Sequence, residues 1–100
     1  MIIIYGEMQC YDISFYCGQN EKYYDNGKEF YLLEIREWKG NKCVNMYHKY
    51  ILADTTKGMS LTILTELFKE KNFVELLINQ RKIVDMGKVI KEYILGVGNE

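Results

Sequence analysis

The chain has 100 residues, 48% of them hydrophobic and 27% charged, with a formal net charge of -1. That is the composition of one ordinary folded domain and excludes wholesale disorder. No block of like charge runs through the sequence, so nothing resembles the basic stripe that a phosphate backbone selects, and nucleic acid is not an expected partner.

The opening run MIIIY is cut off by Gly6 and Glu7 and has no basic flank. It is too short for a transmembrane span or the core of a signal peptide, so no membrane association is expected. Three cysteines, an odd number, point to reduced thiols rather than a disulfide framework, and with them to a cytoplasmic address.

The first half carries strand signals. Residues 2 to 5 (IIIY), 10 to 17 (CYDISFYC), 29 to 38 (EFYLLEIREW) and 43 to 52 (CVNMYHKYIL) are rich in β-branched and aromatic side chains. Gly6 is expected to be a bulge or break. Between the strands lie Gly18-Gln19-Asn20, Asp25-Asn26-Gly27 and Lys39-Gly40-Asn41-Lys42. Asn-Gly supplies the positive φ angles of a type I′ hairpin, and Gly-Asn suits a two-residue turn because glycine tolerates a left-handed first position.

After Asp54 the apolar spacing changes from two to 3.6. Thr55-Thr56-Lys57-Gly58 reads as a linker. Ser60 caps a helix with Leu61, Leu64, Leu67 and Phe68 on one side. Asn72 and Glu75 have capping-box spacing before FVELLI, and the stretch NQRKIVD fits either a turn or a brief strand. Met86, Val89, Ile90, Tyr93, Ile94 and Val97 line one face of a last helix, with Asp85 as N-cap and Gly96 as stop. The fold class expected is α+β in a single domain spanning 1–100. An antiparallel sheet of about four strands, a meander of hairpins, occupies roughly 1–54. Two or three helices, roughly 59–96, pack on one sheet face.

With Gly40-Asn41 as the loop, an unbroken ladder pairs Trp38 with Cys43, Arg36 with Asn45, Glu34 with Tyr47, Ile35 with Met46, Leu33 with His48 and Tyr31 with Tyr50. One hairpin face then holds Tyr31, Leu33, Ile35, Val44, Met46, His48 and Tyr50 and turns toward the helices, with His48 as a packed residue. The other displays Glu34, Arg36, Trp38, Tyr47 and Lys49, with Glu34 diagonal to Lys49.

Cys10, Cys17, Cys43 and His48 make a formal zinc set, but the spacing is wrong. Structural sites aim paired sulfurs from a tight knuckle, whereas strand parity sends 10 and 17, and 43 and 48, to opposite faces. No metal or other cofactor is expected. The sequence carries no Walker loop, GxGxxG, GxSxG or HExxH motif, and no cysteine has an evident activating neighbour. An enzyme is therefore not the leading expectation. What exceeds background is tyrosine: nine in all, eight of them before residue 51. A sheet so studded is aromatic on both faces, and short helices cover only one.

These readings describe a small non-enzymatic protein-interaction module of the inhibitor, immunity or accessory type, in style resembling the short neutral proteins carried on mobile elements. Its partner is a protein, with self-association close behind, and its contact residues are Trp38, Arg36, Tyr47 and Tyr24. The alternative is a small-ligand or nucleotide-binding protein with His48, Tyr31 and Tyr50 around a pocket, between sheet and helices or at a dimer seam.

Overall fold

The computed structural model describes residues 2–5, 9–16 and 22–96. The strands are β1 (Ile2–Tyr5), β2 (Gln9–Tyr16), β3 (Lys22–Asp25), β4 (Lys28–Lys39), β5 (Lys42–Leu52) and β6 (Ile83–Val84), and the helices α1 (Leu61–Phe68), α2 (Lys71–Ile78) and α3 (Met86–Gly96). The fold is α+β, with one mixed, mostly antiparallel sheet in the order β1-β2-β4-β5-β6 and β3 also paired to β4. Tyr16 lies opposite Leu32 and Lys22 opposite Tyr31, so β2 and β3 follow one another along the same side of β4. Only β6 is parallel to its neighbour, with Tyr50 beside Ile83 and Ile51 beside Val84. The readings for Gly6, Cys17, Gly18-Gln19-Asn20 and Val97 fall outside the described residues.

Both hairpin turns follow the chemistry of their residues. Asp25 pairs with Lys28 around Asn26 at φ 52° and Gly27 at φ 76°, the double positive φ of a type I′ turn. Lys39 pairs with Lys42 around Gly40 at φ 61°.

The helices cover one sheet face. Ser60 caps α1, its Oγ accepting from the Ile63 amide at 3.1 Å, which satisfies one of the donors a helix start leaves free. α2 departs from the capping-box expectation: it begins at Lys71, takes Glu70 as N-cap without a side-chain bond, and places Asn72 inside its first turn. Asp85 accepts from the Lys88 amide at 3.0 Å to open α3. The linker earns its position through Thr55, whose Oγ1 donates to the Leu52 carbonyl at 2.6 Å and accepts from the Met86 amide at 2.9 Å. From α1 come Leu64 and Phe68, from α2 Phe73, Val74 and Leu77, and from α3 Met86 and Val89. They pack on Tyr11, Ile13, Leu33, Ile35, Ile51 and Val84 of the sheet. Leu61 and Ile94, expected on the packed stripes, are exposed.

The expected register holds only at the hairpin tip. Trp38 does oppose Cys43, but the ladder then shifts, and Glu37 opposes Asn45 while Val44 is the extra residue of a β-bulge. Below it Arg36 meets Met46, Ile35 meets Tyr47, Glu34 meets His48 and Leu33 meets Lys49. Side chains alternate with a period of two, so one additional residue sends every β5 side chain beyond it to the other face. His48, Met46 and Tyr50 therefore point away from the helices, and Tyr47 and Lys49 toward them. This corrects the packed-histidine reading and the Glu34–Lys49 pair. Lys49 is buried and donates through Nζ to the carbonyl of Gln80, just past the end of α2, and burial holds its ammonium pKa below the ordinary lysine value.

Candidate functional site on the open sheet face

The face turned from the helices is organised in rows across β2, β4 and β5. Cys10, Trp38 and Cys43 form the row nearest the β4–β5 tip. Next come Asp12, Arg36 and Met46, then Ser14, Glu34 and His48, then Tyr16, Leu32 and Tyr50. Phe30 and Leu32 are buried yet lie outside the main core cluster, so this face has an apolar floor of its own at one end. There Tyr23 meets Tyr50 edge-on at 4.9 Å, and the Lys82 ammonium stands 5.1 Å from the Tyr50 ring centroid. At the other end Trp38 is half-buried, with Met46 exposed in the next row.

Charge crosses the middle. Arg36 Nη2 donates to Glu34 Oε2 at 3.2 Å, and Nη1 lies 3.9 Å from Asp12. Glu34 Oε1 is 3.2 Å from His48 Nε2. These groups are reachable by solvent, so each pair contributes about 1 kcal/mol or less to folding. Their effect is to hold a defined pattern of charge on an otherwise apolar surface.

The same row brings together a serine, a carboxylate and a histidine, but in an order that does not serve nucleophilic catalysis. Glu34 stands between Ser14 and His48, which puts the serine two strand spacings, about 10 Å, from the imidazole that would have to accept its proton. The bulge places Cys43 and His48 on one face, contrary to the parity expected of an unbroken strand. They nonetheless stand in rows separated by the Arg36 row. Among the described residues no group of three or more His, Cys, Asp or Glu side chains converges as a metal ion requires.

Of the contact residues read from sequence, the structure brings Trp38 and Arg36 together. Tyr24 lies at the far hairpin beside Asp25, highly exposed. Tyr47 is on the helix side, partly buried against the core. The alternative trio is divided: His48 and Tyr50 are on the open face, whereas Tyr31 lines a cleft with Phe15, Ala53, Met59 and Leu64 on the helix side. The structure adds Asp12 and Met46 to the open face. The pairing of β2 with β4, which delivers Asp12, leaves no local signal, and Met46 changed sides with the bulge.

A polar corner lies on the helix side at the hairpin end. Glu37, 9% exposed, accepts from Gln9 at 3.1 Å and from Asn45 at 3.0 Å. The Tyr47 phenol hydrogen-bonds the same carboxylate, and its pKa is raised by burial and by that negative charge. Tyr11 beside them is pushed up to about 12, first by burial and then by Glu37 and Glu75. This corner is a satisfied buried carboxylate, which is what a charge needs in order to remain inside.

No protein-family model, curated protein or solved structure matches the chain. Among the described residues no helix is long and apolar enough to cross a membrane.

Proposed function

We propose that this protein is a small non-enzymatic interaction module, of the inhibitor, immunity or accessory kind, that binds a partner protein through its open sheet face and the β4–β5 hairpin tip. The carrying observation is the one-sided helix layer. It leaves Trp38 and Met46 beside an ordered line of charges, while the opposite face supplies the core. A large aromatic beside an arginine, with apolar surface around them, is the composition of interface hot spots. Cys10 and Cys43 are free thiols, which fits work in the reducing cytoplasm.

The test is retention of a host protein by the immobilised chain, with the contact mapped by amide hydrogen exchange. Trp38→Ala should weaken binding by at least ~2 kcal/mol, roughly 30-fold, with the fold intact. Protection should fall on β4 and β5. Protection confined to the helices, or binding indifferent to Trp38→Ala, would remove this face from the site.

A further inference from the structure

Toward the open side β4 presents Phe30, Leu32, Glu34, Arg36 and Trp38 in that order. About the midpoint between Glu34 and Arg36 this sequence is self-complementary: acid answers base, and Leu32 answers Trp38. On the flanking strands the same operation sets Met46 against His48 and Cys43 against Tyr50 on β5, and Asp12 against Ser14 on β2. An isologous contact between two stacked sheets has its two-fold axis in the interface plane. An axis crossing β4 between the Glu34 and Arg36 rows lays each row on its counterpart in a second copy, with the β4 strands antiparallel.

We infer that the open face docks a second copy of this chain about that axis, Arg36 of each copy meeting Glu34 of the other and each Trp38 seated against the Leu32–Tyr50 end. The inference rests on the reading of this face as a protein-binding surface and names its partner. Charge supports it. A guanidinium carries five N–H donors, and the contacts to Glu34 and Asp12 in its own chain leave it able to take a further carboxylate. Area sets the strength: β2, β4 and β5 make a face about 14 Å across and about 26 Å along β4, roughly 700 Å² for the pair, which is the size of a weak interface. Aligned sheets cross at about 30°. Such a rotation moves the rim but leaves the Arg36–Glu34 exchange in place, because both residues stand next to the axis.

Sedimentation and light scattering on the full chain test this. The wild type should run at twice the chain mass at ~100 μM. Arg36→Glu and Glu34→Arg should each weaken self-association at least ~100-fold, because each sets like charges against like across the axis. Mixed one to one, these two variants should recover a heterodimer, which also shows that both are folded, and the double variant Glu34→Arg/Arg36→Glu should dimerise again by itself. A monomeric wild type, or single variants that stay dimeric, or a mixture that does not pair, would overturn the proposal. A monomeric wild type that still retains a host protein in a Trp38-dependent manner would overturn self-docking alone and leave the partner-binding reading standing.

Discussion

Removing Val44 tests the bulge directly. With that residue gone, Cys43 joins Asn45, and the ladder runs Lys39–Lys42, Trp38–Cys43, Glu37–Asn45 without interruption and without moving any other side chain to a new face. Val44 is 37% exposed, so its own loss forfeits only part of one side chain's burial, about 1 kcal/mol or less. Removing His48 also takes one residue from β5, and the strand again absorbs the change by giving up its bulge, but now the segment between the two positions turns over. Val44 replaces Asn45 opposite Glu37, and Tyr47 leaves the helix side. Glu37 then loses both the Asn45 amide, at 3.0 Å, and the Tyr47 phenol. Hydrogen bonds to a charged group contribute about 1.5–3 kcal/mol each, and more when the charge is left buried. Deleting His48 should therefore cost at least about 3 kcal/mol more than deleting Val44, whereas His48→Ala, which only breaks an exposed pair, should cost under about 1 kcal/mol. Urea unfolding followed by Trp38 fluorescence and far-ultraviolet circular dichroism reads all three. Equal costs for the two deletions, or loss of the fold on removing Val44, would refute the account of the bulge as a spare residue.

Three further outcomes are expected. Tyr11 has its folded pKa raised from 10.0 to about 12, so its contribution is complete below pH 10 and is lost as pH rises through about 12. Tyr11→Phe should flatten that part of the alkaline stability profile, which otherwise falls by up to about 2–3 kcal/mol from this group. Phe73, fully buried with Tyr93 edge-on at 5.4 Å and Phe68 at 6.3 Å, should cost about 3–5 kcal/mol as Phe73→Ala by equilibrium unfolding. Ser60→Ala should remove about 1 kcal/mol, because the Ile63 amide loses its acceptor.

The parts of the fold legible in the sequence are those set by local chemistry. Asn26-Gly27 and Gly40 specify their turns because few residues tolerate positive φ, and Ser60 and Asp85 mark helix starts because short polar side chains meet free amides there. What the sequence withheld is non-local. Ile83–Val84 is a strand only because β5 lies alongside it, in parallel, and nothing within NQRKIVD announces that neighbour. Trp38 and Arg36 were readable as surface residues because they precede the irregularity. Tyr47, His48 and Tyr50 were not, because hydrophobic alternation in CVNMYHKYIL fits both registers about equally well, with a polar residue facing inward in either.

That ambiguity was resolved by polar pairing rather than by apolar burial. In the unbroken register the helix side of β5 would have received Val44, Met46, His48 and Tyr50 in place of the Asn45, Tyr47, Lys49 and Ile51 it actually receives. The observed set is stable because each polar member finds a fixed partner there: Asn45 and Tyr47 on Glu37, and Lys49 on the carbonyl of Gln80 just past α2. In the unbroken register Glu37 would stand on the helix side without those two donors, a cost of several kcal/mol that Met46 could not repay by its own burial. The bulge thus settles the needs of one buried carboxylate. In doing so it sends Met46, His48 and Tyr50 outward, so the make-up of the open face is the direct consequence of how Glu37 is satisfied inside.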